Sequence, residues 1–231
     1  MSPINAALAQ GLRRELACRK NPERARGAAA YMKVALPFIG VSMPEVRRLT
    51  REVLREHPLQ GYATYQSTLR ELFFGARFQE ERYAALAVAA DRRSAGFQRF
   101  GMLATYGKMI VAAGWWDLVD DLSCRVGDVL VRDPARSAPI LRRWSRHDDL
   151  WLRRAAIICQ RKSRENTDLD LLYDCIEPSL ASPEFFLKKA IGWALRSLAW
   201  HDPGAVRRYV RGHADQLSPL SRREALKNLK Q

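Results

Sequence analysis

The sequence predicts an all-α protein. Leu, Ala, Arg and Glu dominate at helical spacing along the 231 residues, and alternating β-branched stretches are absent. Pro and Gly interrupt this pattern at intervals of about one helix length, as expected for a chain of short helices. Hydrophobic residues make up 47% of the chain, which argues against disorder. We therefore expect about a dozen helices in a single domain spanning residues 1–231.

Several helix starts are visible along the chain. Ser42 and Glu45 have the spacing of a capping box, with Pro44 tolerated in the first turn. The pairs Asp133-Pro134 and Ser182-Pro183 have the form of an N-cap followed by the first helical residue. Other breaks between helices fall at Pro22, Pro37, Pro58, Gly75, Gly96, Gly114, Pro178, Pro203 and Pro219.

An apolar helical segment recurs along the chain. It appears at Tyr83–Ala89, Leu118–Leu122, Ala155–Ile158 and Ala190–Leu195, and successive starts lie 35, 37 and 35 residues apart. This period is typical of stacked helical hairpins of the HEAT or armadillo kind. The predicted architecture is a superhelical stack of HEAT-like antiparallel helical repeats, in which one helix of each pair lines a concave groove.

The chain is strongly basic. It contains 39 Lys and Arg against 25 Asp and Glu, a formal charge of +14, which favours a nucleic acid or an anionic membrane surface as partner. Trp151 and Arg154, like Trp193 and Arg196, stand three residues apart and so share a helix face. A basic, aromatic groove that binds a long polyanion is the natural inference.

No metal or cofactor site is expected. The four cysteines show no CxxC spacing and the four histidines are scattered, so reduced thiols are the simplest interpretation. The N-terminus lacks an apolar signal core and no segment approaches the length of a membrane span, which predicts a cytoplasmic protein without a membrane partner. The cysteines are Cys18, Cys124, Cys159 and Cys175, and the histidines are His57, His147, His201 and His213.

The first candidate for chemistry is the segment Gly114–Asp121, which reads GWWDLVDD. On a helix beginning near Gly114, Trp116 and Asp120 are one turn apart and share a face. Acids early in a helix commonly complement its dipole, which suffices for Asp117. That explanation is weaker for Asp120, which lies in the second turn among apolar neighbours.

Other candidates each have a structural alternative. Arg154 precedes an apolar run, and either a buried ion pair or a fork that holds a phosphate would explain it. Trp193 and Tyr31 could pack in the core or contact a ligand. Gly192 would permit a close backbone approach beside Trp193. The cations around that tryptophan are Lys188, Lys189 and Arg196.

Together these segments resemble a known family. Four of them, in this order, look like the AlkD-type DNA alkylation repair glycosylases: GWWDLVDD, WLRRAAIICQ, EFFLKKAIGWALR and LSRREALKNLKQ. The stretch Ala29–Leu49 fits the same family, so the resemblance runs from about residue 28 to the end. The combination of WWDxVD, WLxRAA and FFxxKAIGWxLR is specific.

The resemblance implies a HEAT-like fold and hydrolysis of the N-glycosidic bond of N3- and N7-alkylated purines in duplex DNA, without a cofactor and without flipping the base. Asp120 would be the catalytic carboxylate, with Trp116 and Trp193 as aromatic walls. DNA contacts would come from Arg154, Tyr31, Lys188 and Lys189. A monomer acting on the nucleoid is expected. The adduct preference stays open, and an open groove could accept bulky adducts.

Two other functions compete with this interpretation. A non-catalytic HEAT-like scaffold that binds nucleic acid would need the basic, aromatic groove but not Asp120. A solenoid that binds other proteins would account for the repeat but poorly for the charge of +14.

Overall fold

The computed structural model describes residues 3–229, and within that range the chain is helical and contains no strand. The all-α prediction is therefore confirmed, and thirteen α-helices among the described residues agree with the expected number. They are α1 (Ala6–Ala17), α2 (Pro22–Tyr31), α3 (Met43–Glu56), α4 (Tyr62–Phe74), α5 (Gln79–Ala90), α6 (Met102–Ala113), α7 (Trp116–Arg132), α8 (Pro134–Trp144), α9 (Leu150–Ile158), α10 (Leu169–Ile176), α11 (Phe185–Ala199), α12 (Pro203–Gly212) and α13 (Pro219–Leu226). The last two residues of the segment LSRREALKNLKQ lie outside the described range.

The helices gather into two compact units, divided between Thr105 and Tyr106 within α6. In the first unit α3 packs against α1 and α5, and α4 packs against α5. The carboxylate of Glu80 is buried there and accepts hydrogen bonds from the backbone N–H groups of Ile39, Gly40 and Val41. This carboxylate ties the segment that leads into α3 to the start of α5. The prediction of a single domain over residues 1–231 stays a prediction.

The second unit is built from alternating helices. In one row α7 packs against α9, α9 against α11 and α11 against α13, while α8, α10 and α12 connect and flank this row. Of the four recurring apolar segments, three lie in α7, α9 and α11, and the fourth lies in α5 of the first unit. The period in the sequence therefore marks every second helix, as expected for repeated helical hairpins.

The predicted helix starts are confirmed in two cases and wrong in one. Ser42 caps α3 by accepting from the N–H of Glu45, and Asp133 caps α8, in which Pro134 is the first residue. Ser182-Pro183 does not begin a helix, because the Ser182 hydroxyl accepts from the N–H of Glu184 in the preceding turn. Helix α11 starts later, at Phe185.

All four cysteines are free thiols. Cys18 is exposed and the other three are buried. Burial raises the pKa of the Cys175 thiol to about 12 and also raises that of Cys159. Residues 3–229 contain no group of three or more His, Cys, Asp or Glu placed to hold a metal ion. No described helix combines the length and the apolar character that a membrane span requires.

Candidate active site

A cavity of about 390 Å³ lies within the second unit. The described residues that line it come from α7, α9, α11 and α13, and none comes from α8, α10 or α12. One row of helices therefore supplies the whole lining. The lining residues are Trp116, Asp120, Arg154, Phe185, Phe186, Lys189, Trp193, Arg196 and Glu224.

Arg154 binds both oxygens of the Asp120 carboxylate. Arg154 donates from Nε to one carboxylate oxygen at 2.7 Å and from Nη2 to the other at 2.9 Å. Its Nη1 donates to the backbone carbonyl of Phe186 at 2.7 Å, and the side chain is only 5% exposed. The Asp120 side chain is 15% exposed and lines the cavity. This bidentate pair fixes the plane of the carboxylate, so the ion-pair alternative for Arg154 is the one observed. Its contact with a DNA phosphate stays a prediction.

Close helix packing brings these two residues together across 34 positions of sequence. A Cβ on Gly127 of α7 would lie 2.3 Å from the backbone carbonyl oxygen of Cys159, just after α9, so only glycine permits this approach. Asp120 occupies the second turn of α7 beside Val119, which is fully buried. The apolar burial of both helices thus forces the acid and the arginine to face each other.

The two tryptophans of GWWDLVDD lie in different environments. Trp115 packs against Trp151 and Phe186, with ring centroids 6.1 and 5.6 Å away, and Trp151 lies 5.0 Å from Phe186. Trp116 instead lines the cavity together with Asp120. Asp117 lies in the first turn of α7, where an acid complements the helix dipole. Trp115 is therefore a packing residue, and the predicted shared face of Trp116 and Asp120 opens to the cavity.

A second carboxylate, that of Glu224, lies on the cavity wall. It is paired with Lys189, whose Nζ is 3.1 Å away, and with Nη1 of Arg196. The hydrogen bond from Lys189 is the largest cause that lowers the pKa of Glu224, with further lowering by Arg196. The sequence reasoning did not single out Glu224. It did place Lys189 here, and it also named Lys188, which does not line the cavity.

Gly192 makes this arrangement possible. A Cβ at that position would lie 2.5 Å from the Cβ of Glu224 and 2.9 Å from the carbonyl oxygen of Ser221. The close backbone approach expected beside Trp193 is thus confirmed, and it brings α13 onto α11. The Ser221 hydroxyl donates to the carbonyl of Lys188 at 2.9 Å and secures the same contact.

Trp193 lines the cavity, and its role as an aromatic wall for the substrate stays a prediction. The sequence reasoning missed a residue that contacts its ring. The guanidinium carbon of Arg161 lies 3.7 Å from the centroid of the Trp193 ring. Arg161 stands seven positions after Arg154, in the short 3-10 turn Cys159–Lys162 that follows α9. A spacing of seven, which suits one face of a continuous helix, was the signal available in the sequence.

Tyr31 belongs to the first unit, where it ends α2. Its side chain is 74% exposed, so the core-packing alternative for this residue is wrong. Its proposed contact with DNA stays a prediction.

The comparisons with known proteins decide the family. A family model described as DNA alkylation repair enzyme matches residues 12–229 of the chain. The chain belongs to this family. The chain is also similar to a solved structure, described as a predicted DNA alkylation repair enzyme from Enterococcus faecalis. That structure is 28% identical, with a TM-score of 0.82 over 92% of this chain and 98% of its own. No curated protein matches the chain in sequence.

Membership of the DNA alkylation repair enzymes settles the broad function. The protein is an enzyme of DNA repair that acts on alkylated DNA, and DNA is its partner. The charge of +14 suits that partner, because basic side chains neutralise phosphates. The predicted resemblance to this family is confirmed.

Proposed function

We propose that the protein is a DNA glycosylase that hydrolyses the N-glycosidic bond of cationic N3- and N7-alkylated purines in duplex DNA. The observation that carries the proposal is the Asp120 carboxylate, oriented by Arg154 and presented to a cavity walled by Trp116 and Trp193. Arg154 already balances the charge of this carboxylate in the protein alone. A cationic alkylated purine nucleoside would bring a second positive charge for the carboxylate to meet.

The chemistry needs only what this cavity provides. Alkylation at N3 or N7 places a positive charge on the purine, so the base departs neutral, taking the electron pair of the C1′–N bond. The deoxyribose left behind is an oxocarbenium-like cation. Asp120 stabilises that cation as it develops. It also orients a water molecule, whose oxygen attacks C1′ and whose proton passes to the carboxylate. The products are a free base and an abasic site.

Trp116 and Trp193 act on the charged base rather than on the sugar. An aromatic face attracts a cation with roughly 0.5–2 kcal/mol, more when water is excluded. Two indoles on the cavity wall would therefore favour an alkylated purine over an undamaged, neutral one. Selection of the lesion by its charge follows from this arrangement.

The decisive experiment measures release of N7-methylguanine from a labelled duplex under single-turnover conditions. Asp120→Asn should reduce the rate constant about a hundredfold or more, the scale expected when a preorganised electrostatic contact is removed. Asp121→Asn removes the same charge one residue along α7 and does not alter the cavity lining. It should retain nearly the full rate.

Two outcomes would overturn the proposal. The first is the absence of base release by the wild type, and the second is an equal rate for Asp120→Asn and wild type. Tight, strongly salt-dependent duplex binding without base release would indicate the non-catalytic nucleic-acid scaffold instead. Circular dichroism of each variant must show the wild-type helix content at the assay temperature.

We also infer that the base is not flipped out of the duplex. Most glycosylases extrude their target, at the cost of unstacking it. A duplex with 2-aminopurine beside a non-hydrolysable lesion analogue tests this, because 2-aminopurine becomes strongly fluorescent when its neighbour leaves the stack. We expect little change on binding, and a large rise would refute the inference.

A further inference from the structure

Arg161 contacts both Trp193 and Asp120, two residues that line the cavity. Its guanidinium carbon lies 3.7 Å from the Trp193 ring centroid, and its Nη2 donates to the backbone carbonyl of Asp120 at 3.3 Å. The same nitrogen lies 3.2 Å from the Sγ of Cys124, one turn further along α7. One side chain therefore contacts the aromatic wall and the helix that carries the carboxylate.

Arg161 itself lies outside the cavity. Among the described residues it lines a separate small cleft with Ala194 and Ser197, whereas Trp193 lines the cavity. Arg161 thus contacts the ring of Trp193 without lining the space that would receive the substrate. Any effect of Arg161 on the proposed reaction would therefore pass through its neighbours.

The charge of Arg161 gives no electrostatic benefit to the substrate. A cation stacked on one face of an indole draws on the same electron density that would attract a cationic purine on the other face. In addition, Nε of Arg161 is buried without a hydrogen-bond partner among the described residues, which is unfavourable. A purely electrostatic account therefore predicts that this arginine slows the reaction.

We propose that Arg161 is a positioning residue that fixes the Trp193 ring relative to Asp120. This inference rests on the proposed glycosylase function and deepens it. The guanidinium lies over the indole while its Nη2 donates to the Asp120 carbonyl of α7, and a planar fork of donors suits both contacts at once. The guanidinium of Arg161 would then set the distance between the Trp193 ring, which contacts the base, and the Asp120 carboxylate, which faces the sugar.

Three variants separate positioning from electrostatics. Arg161→Met removes the charge but keeps an unbranched side chain, and Arg161→Lys keeps the charge but loses the planar fork. Arg143→Met, at an exposed position of α8, is the control for loss of one positive charge from the protein. Positioning predicts that both Arg161 variants release N7-methylguanine roughly tenfold to a hundredfold more slowly than Arg143→Met, since small misplacements carry such penalties.

Other results would count against the proposal. An increase in rate for Arg161→Met, or a wild-type rate for Arg161→Lys, would assign Arg161 an electrostatic role. A double-mutant cycle tests whether Arg161 acts through Trp193. In a Trp193→Ala background, Arg161→Met should cause little further loss of rate. Fully independent losses would contradict action through Trp193.

A spectroscopic measurement keeps this inference distinguishable from the glycosylase proposal. In protein labelled with 5-fluorotryptophan, the ¹⁹F resonance of Trp193 is assigned by its absence from Trp193→Phe. It should broaden in Arg161→Met and Arg161→Lys but not in Arg143→Met, because the ring is then free to move. A change of chemical shift alone is expected from the altered charge beside the ring. An unchanged linewidth would refute the positioning role even if the enzyme is a glycosylase. Absence of base release with a broadened resonance would instead refute the glycosylase function alone.

Discussion

Arg154 and Asp120 form a bidentate ion pair in which Nε and Nη2 lie 2.7 and 2.9 Å from the two carboxylate oxygens. The pair joins α7 to α9, and the third contact of the guanidinium, to the carbonyl of Phe186, joins both to α11. The group that orients the proposed catalytic carboxylate is thus also a link between three helices of the second unit. Stability and chemistry are coupled at this point.

Replacing Arg154 with Met should therefore lower the free energy of unfolding. Removing one partner of a buried ion pair costs about 3 kcal/mol or more because the other charge is left unpaired. Urea unfolding followed by circular dichroism measures the loss, with Arg143→Met as the exposed control. The double variant Asp120→Leu with Arg154→Met should recover most of the stability without recovering base release. Equal stability of Arg154→Met and the control would contradict the structural role.

Trp116→Ala should slow release of N7-methylguanine about fivefold, because one cation–π face of roughly 1 kcal/mol is lost from the cavity wall. Binding of an undamaged duplex should change much less, since the neutral base gains little from that face. Trp200→Ala is the matched control, because Trp200 is 71% exposed and does not line the cavity. Equal rates for the two variants would show that the Trp116 indole does not act on the lesion.

Gly192→Ala should destabilise the protein by about 1–3 kcal/mol, the usual penalty for overpacking. The added methyl would meet the Glu224 Cβ at 2.5 Å and would push α13 away from α11. Gly27→Ala is the control, because a Cβ at that position in α2 meets nothing within 4 Å. There alanine should stabilise the helix by roughly 0.5–1 kcal/mol. Urea denaturation of both variants measures the change in the free energy of unfolding, which should be a loss for Gly192→Ala and a gain for Gly27→Ala.

The ion pairs of Glu224 should make stability depend on pH. Its pKa is lowered from 4.5 in the folded protein, chiefly by the hydrogen bond from Lys189. The stabilising contribution is therefore complete above 4.5, the ordinary carboxyl value, and is lost as the pH falls through the lowered pKa. Glu224→Gln should lower Tm near pH 7, and its difference from wild type should shrink below about pH 4. The exposed Glu56→Gln should show no such trend.

Much of the fold was predictable because it depends on local rules. The caps at Ser42 and Asp133 follow from side-chain hydrogen bonds that span three residues, and the apolar period marks alternate helices. Ser182 misled the prediction because the same local bond, to the N–H of Glu184, can close a turn without starting a helix. The sequence offers little to distinguish a serine that caps a helix from one that closes a turn.

The candidate site was predictable only in part. Four residues named from the sequence, Asp120, Trp116, Trp193 and Lys189, line the cavity, while their proposed roles stay predictions. The partners of Asp120 and Lys189 lie more than thirty residues away, so pairing depends on how helices pack. Arg161 illustrates the limit, since its role depends on the distance between two other residues that are themselves distant in sequence.

The alternation of helices in the second unit has an evolutionary consequence. The cavity is lined by α7, α9, α11 and α13 alone among the described residues, while α8, α10 and α12 carry none of its side chains. Substitutions on the outer faces of these three helices, and insertions in the turns beside them, leave the cavity lining untouched. The enzyme could acquire new surface features there, such as a docking segment or a longer loop, while its cavity stays intact.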